Sequence, residues 1–186
     1  MTTPLDPDEA EGLIPDHIQT VGELNLWEQT NILRAEEWAF SRRRKDVLEV
    51  PFLRELHRRM FEETWAWAGT FRTTGKNIGV PAHEIAASLH DLLNDVNYWL
   101  EHGTYPLDEI AARFHHRLVA IHPFPNGNGR HGRLMADLLL RNRGAEPFTW
   151  GRGDLQAPGR SRELYLKALQ AADSDDIGPL LQFARS

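Results

Sequence analysis

Residues 122 to 130 read His-Pro-Phe-Pro-Asn-Gly-Asn-Gly-Arg, and Arg133 follows three positions later. A histidine, a glycine-flanked asparagine and two arginines at this spacing suit a site that holds a polyphosphate beside a proton acceptor. Glycine lets backbone N–H groups approach a ligand closely. The first turn of a helix adds unpaired N–H donors and a partial positive charge. If a helix starts near Gly127, Asn128 and Gly129, the result is an anion cradle. Arg130 and Arg133 are three apart and share a helix face, where guanidinium groups grip terminal phosphates through paired hydrogen bonds. His122, at the end of an apolar helix, is placed to accept a proton from an attacking hydroxyl near neutral pH. Asn126 offers a side-chain oxygen to a magnesium ion, although carboxylates are the commoner ligand. Phe124 reads as the apolar anchor of the loop. The same residues also fit a plain helix–loop–helix connection with Asn128 as N-cap and the arginines as a solvated face. Short glycine motifs alone do not decide between the two.

Several elements must position this loop. Residues 1–20 are rich in proline and acid and read as an extended surface segment. Apolar residues Leu24, Trp27, Ile32, Leu33 and Ala35 predict a helix over about 23–42, with Glu28, Arg34 and Glu37 facing out. Pro51 fits the first turn of a second helix carrying Phe52, Leu53, Leu56, Met60 and Phe61. Residues 70–82 break the helical pattern, since threonine, isoleucine and valine favour extended backbone and Gly75 and Gly79 favour turns. They predict a short β-hairpin or an extended loop. Helix resumes from His83 to about 101, ending at His102-Gly103. Further helices are predicted over 106–120, 128–142, 161–172 and 175–184. The expectation is one all-α domain over 1–186 with a single small β insertion.

Composition narrows the function. With 186 residues, 41% of them apolar, the chain has material for a full core. Its formal net charge is −6, which argues against a general binder of nucleic acid or anionic membrane. The run Arg42 to Lys45 reads as a solvated helix end, where cations suit the dipole. The chain has no cysteine, so disulfides and thiol chemistry are excluded. No signal peptide and no membrane span are legible, and a bacterial, cytoplasmic protein is the default expectation. His115, His116, His122 and His131 do not have the arrangement of a zinc site, because adjacent helical residues diverge. Asp137, one turn beyond Arg133, is placed to orient it. The six tryptophans read as core.

His122, Phe124, Gly127, Asn128, Gly129, Arg130 and Arg133 together resemble the motif H-x-F-x-(D/E)-G-N-G-R-x-x-R of the Fic/Doc family. Trp67-Ala68-Gly69 and Arg72 are similar to the segment that leads into the family's β-hairpin flap. The whole chain resembles the Fic subgroup called mobile mystery protein B. The resemblance implies a mostly helical Fic fold with a flap at 70–82. It also implies transfer of AMP from ATP, with Mg2+, to a serine, threonine or tyrosine hydroxyl of a target protein. By motif position His122 would be the general base. Gly127, Asn128 and Gly129 would hold the nucleotide phosphates, and Arg130 and Arg133 the β- and γ-phosphates. Lys76, Asn77 and Ile78 would dock the target as an added strand.

Asn126 departs from the family pattern, which has Asp or Glu at the magnesium position. An amide oxygen carries no formal charge, so weaker metal binding and slower turnover are expected, and a nucleotide-binding regulatory protein with weak or altered transfer is the alternative reading. A non-catalytic, DNA-associated partner of a repressor is a third, disfavoured by the charge. The family's inhibitory pattern (S/T)-x-x-x-E-(G/N) has no strict match here. Glu28 and Glu163 are weak substitutes and read as surface residues. The resemblance implies control by a separate antitoxin-like protein, as in a toxin–antitoxin pair, and pairing into a homodimer.

Overall fold

A computed structural model describes residues 12–76 and 78–186. The first half of the expected extended segment, residues 1–11, and Asn77 in the expected flap lie outside the described residues. From Gly12 the chain runs beside residues 64–66. Ala66 N–H donates to the Gly12 carbonyl at 2.8 Å and Ile14 N–H to Thr64 at 2.8 Å.

Helix α1 (Val21–Phe40) starts at a reciprocal cap in which Thr20 and Glu23 each accept from the other's backbone. Its buried residues are Leu24, Glu28, Asn31, Ala35 and Ala39. They follow a 4-3-4-4 spacing in which two of five members are polar. This corrects the face expected from apolar residues alone. Leu33 is 52% exposed and Glu28 only 3% exposed. The helix ends on Arg44, whose Nε donates to Ala39 O at 3.0 Å and whose Nη2 donates to Trp38 O at 2.6 Å. The basic run is therefore divided: Arg44 is buried against the final carbonyls of α1, while Arg42, Arg43 and Lys45 are exposed.

Helix α2 (Val50–Phe61) has proline in its first turn, where the missing N–H costs nothing. Helix α3 (Ile85–His102) ends at Gly103 in the left-handed region. Helices α4 (Leu107–Ile121) and α5 (Asn128–Asn142) are joined by the histidine–glycine loop. Helices α6 (Arg160–Ala172) and α7 (Gly178–Arg185) complete the order. One buried cluster runs through α1 to α5 and includes Phe61, Phe114, Phe124 and Met135. A smaller one, with Tyr165, Leu180 and Phe183, joins α6 to α7. Trp65 and Trp150 are buried, and Trp27, Trp38, Trp67 and Trp99 pack partly buried against the main cluster.

Among the described residues the expected hairpin at 70–82 shows no strand pair. Among the described residues the one β-bridge is Leu13 with Trp65. The carbonyls of Thr74 and Val80 both accept from the guanidinium of Arg72, so the described part of the segment is a loop tied at its base. Among the described residues no helix is long and apolar enough to cross a membrane.

Candidate active site

The α4–α5 loop is built by two residues in left-handed backbone and one internal clamp. His122 closes α4 at φ 54° and ψ 59°, its N–H donating to Leu118 O at 3.2 Å. Gly127 precedes α5 at φ 78°. A Cβ there would lie 2.5 Å from Phe61 Cζ, so glycine is required by space as well as by φ. Between them, buried Asn128 accepts from Phe124 N–H at 2.9 Å and donates to Phe124 O at 2.9 Å. The Asn128 side chain is spent on holding the loop, and only its backbone N–H is left to face a ligand.

His57 on α2 braces the loop from below. Gly69 N–H donates to Nδ1 at 3.0 Å, which leaves Nε2–H to donate to the Asn126 carbonyl at 3.0 Å. The His57 ring stacks on Phe124 with centroids 3.6 Å apart. Burial, then the nearby His131, holds this imidazole well below the usual histidine range, and the neutral form is the one both hydrogen bonds require. Sequence reading missed His57. Its signal was a lone histidine on the apolar stripe Leu53, Leu56, Met60 of α2, which ordinarily marks no more than a satisfied core group.

No side chain caps α5, so its first N–H groups open toward a pocket of about 250 Å3. His122, Asn126 to Arg130, and Arg133 share this pocket with Leu155, Arg162, Tyr165, Leu166 and Leu169. The loop after α5 and helix α6 thus supply an apolar end that the motif does not encode. Burial, and secondarily the charge of Arg72, lowers the His122 pKa from its ordinary value, so the ring is neutral at pH 7. Its Nδ1 is buried with no hydrogen-bond partner among the described residues. A proton on Nδ1 leaves the Nε2 lone pair as the acceptor.

The two arginines are held differently. Arg130 pairs with Glu28, whose other oxygen accepts from Trp65 Nε1 at 2.6 Å, and its guanidinium lies 4.9 Å from the Phe61 ring centroid. The surface position expected for Glu28 is thereby corrected. It is a buried carboxylate on the motif's first arginine, placed there by the helical stripe of α1. Arg133 has no carboxylate partner among the described residues and lies 5.5 Å from the Tyr165 ring centroid. Asp137 does not pair with it. Asp137 accepts from Phe148 N–H at 3.0 Å and Trp150 Nε1 at 3.0 Å, holding the loop beyond α5.

The remaining histidines have separate partners: His115 with the Tyr165 hydroxyl at 3.0 Å, His116 with Asp173 at 2.7 Å, His131 with Leu53 O at 2.9 Å. Among the described residues no group of three histidine, aspartate or glutamate side chains could hold a metal. Asn126 is exposed and its Oδ1 accepts from Gly127 N–H at 2.6 Å. Lys76 and Ile78 are exposed on the 70–82 loop, beside a groove of about 900 Å3 that Lys76 and Asn126 both line.

A helical fold thus presents a histidine and an uncapped, arginine-bearing helix start to one pocket, an arrangement suited to an anion. The Fic/DOC family model matches residues 47–140, and the chain belongs to that family. It is similar to protein adenylyltransferase fic-1 of Caenorhabditis elegans, 30% identical over 142 residues, covering 74% of this chain and 27% of that protein. Protein adenylyltransferase Fic of Drosophila virilis is 33% identical over 144 residues, covering 75% and 27%. The chain thus spans about a quarter of the length of these curated relatives. In structure it resembles C. elegans Fic-1 residues 134–508 (TM-score 0.69, 25% identity, 94% of this chain and 51% of that one). It shares a fold with the AMPPNP-bound BepC protein of Bartonella tribocorum (TM-score 0.69, 18% identity, 95% of both chains).

Proposed function

We propose that this protein transfers AMP from ATP to a serine, threonine or tyrosine hydroxyl of a target protein. The observation that carries the reading is the convergence of a neutral, half-buried His122 with the open N-terminus of α5, Arg130 and Arg133 on one pocket. The names of the adenylyltransferase relatives and the AMPPNP bound in a neighbour of like fold support it. The target hydroxyl attacks the α-phosphorus, its proton passes to His122 Nε2, the α–β anhydride bond breaks and pyrophosphate leaves. The Gly127–Gly129 turn, through the backbone N–H groups of Asn128 and Gly129, and the guanidinium groups of Arg130 and Arg133 neutralise the phosphates and align the α-phosphorus. Leu155, Leu166 and Leu169 give the base an apolar wall. Asn126 would offer its side-chain oxygen to a Mg2+ accompanying the nucleotide, which would supply charge neutralisation. Lys76, Asn77 and Ile78 dock the target as an added strand. This reading treats residues 122–133 and the 70–82 loop as parts of one catalytic domain. The reading includes control by a separate, antitoxin-like partner.

The test is incubation with α-labelled ATP, magnesium and a cell lysate, with wild type beside His122→Ala. Label on protein that disappears in the variant, while ATP binding persists, is the expected result. Equal labelling by the two proteins would remove His122 from its role. The neutral Asn126, its oxygen already bonded to Gly127, favours one other reading, a nucleotide-binding regulator. That reading gains if ATP binds and neither protein labels anything.

A further inference from the structure

We infer that Arg72 is a positioning residue that ties the 73–80 loop to His122, so that a target seated on that loop sets the base. This rests on the adenylyl-transfer reading. Arg72 is only 4% exposed, and among the described residues all its hydrogen-bond partners are backbone carbonyls. On one side it holds the loop, with Nη1 donating to Thr74 O at 3.0 Å and Nη2 to Val80 O. On the other it holds the end of α4, with Nε donating to His122 O at 2.6 Å and Nη2 to Ile121 O at 3.4 Å. Main-chain bonds run alongside: Arg72 N–H to Pro123 O at 3.0 Å and Val80 N–H to Ile121 O at 3.3 Å.

A buried cation with no carboxylate is stable here because the last carbonyls of a helix carry partial negative charge, and because a planar fork can satisfy several acceptors at once. The arrangement does more than bury a charge. His122 is a non-glycine residue in left-handed backbone, a conformation that surrounding contacts must enforce. Arg72 bonds the carbonyl of that very residue. The loop also touches the base directly. Gly79 has φ +100°, and a Cβ on it would lie 2.7 Å from Arg72 Nη2 and 2.7 Å from His122 Cβ. Moving the loop therefore moves the guanidinium, the His122 carbonyl and the space behind the imidazole together. Lys76 and Ile78, which the proposed function gives to the target, sit between the loop carbonyls that Arg72 holds.

Two variants break the contact from opposite sides. Arg72→Gln removes the fork; Gly79→Ala pushes the loop off Arg72 and His122 while leaving the charge. For each, the full chain is checked for native melting and helical circular dichroism, then measured for Mg-ATP affinity by calorimetry and for labelled transfer to lysate protein. The His122 ring resonances are followed by NMR, assigned by their loss in His122→Ala. Both variants are expected to hold ATP affinity within about threefold, to lower transfer at least tenfold, and to shift the His122 resonances while those of His115 stay in place. Arg72→Lys, which returns charge without the fork, is expected to stay near Arg72→Gln. Unmoved His122 resonances, full recovery by Arg72→Lys, or a loss of ATP affinity equal to the loss of transfer would overturn the inference. Should wild type label no protein, the adenylyl-transfer reading falls, and the NMR comparison still decides whether Arg72 and Gly79 position His122.

Discussion

Glu28 shows how much a single charge changes the reading of the arginine pair. Its carboxylate is buried, accepts from Trp65 Nε1 and pairs with Arg130, while Arg133 has no such partner among the described residues. A phosphate arriving at Arg130 must share that guanidinium with a fixed negative charge about one ion-pair length away. Glu28→Gln keeps the shape and the acceptor for Trp65 but removes the competition. Mg-ATP affinity, read by calorimetry, is expected to rise several-fold, with a steeper dependence on salt because screening then acts on a more positive site. The melting temperature is expected to fall, since breaking a buried pair on one side costs about 3 kcal/mol. Unchanged or weaker nucleotide binding would mean that Glu28 orients Arg130 for the phosphate and does not compete with it. Sequence reading placed Glu28 outside because charge was taken to mark the solvent side of α1. The 4-3-4-4 stripe through Leu24, Glu28, Asn31, Ala35 and Ala39 was present in the sequence, but two polar members masked it.

At the scale of the element, the start of α5 depends on the turn that precedes it. Asn128 closes this turn by bonding both the N–H and the C=O of Phe124, and Phe124 in turn is fully buried under His57. Asn128→Ala would leave two buried backbone groups of Phe124 without partners, a cost of about 2–3 kcal/mol. It would also release the loop that aims the N–H groups of Asn128 and Gly129. The expected outcome is a lower melting temperature together with at least a tenfold loss of Mg-ATP affinity. A drop in stability with affinity intact would show that the cradle keeps its shape without the clamp. The helices and the residues of this loop were legible because proline, glycine and apolar spacing act locally. The 70–82 segment was legible only as extended chain. Its geometry is set by a guanidinium and the end of α4, some fifty positions away in sequence, and no local pattern carries that information. The apolar wall from Leu155, Leu166 and Leu169 was missed for the same reason, since the loop beyond α5 is positioned by Asp137 and Trp150.

Across the whole molecule, the buried titratable groups make opposing demands on pH. Burial pushes His115 down to about 3 and His131 down to about 4, and holds His57 well below its ordinary value. A depressed imidazole contributes stability that is complete above the unfolded value of 6.5 and is lost as pH falls toward the folded value. Burial of Asp137 acts the other way, raising it from 3.8 to about 7 despite the Trp150 and Phe148 donors. Its contribution is complete below 3.8 and is lost as pH rises through 7. At pH 5 the unfolded chain therefore holds about two protons on His115 and His131 that the native state lacks, with His57 acting in the same direction, and the native state holds about one on Asp137. The histidines outweigh Asp137, so these groups make stability rise with pH there. Asp137→Asn removes the opposing proton and the cost of burying an ionised carboxylate, while Asn still accepts from Trp150 Nε1. Denaturant midpoints measured from pH 5 to 8 are expected to rise more steeply with pH in the variant than in wild type. The variant is expected to gain on wild type from pH 5 to about 7, where the native carboxylate keeps a proton that the unfolded chain has released, and the gain is expected to level off above 7. A stability difference that stays constant over that range would show that Asp137 is ionised in the native state at every pH tested. It would then hold the loop beyond α5 as a charged acceptor for Phe148 and Trp150.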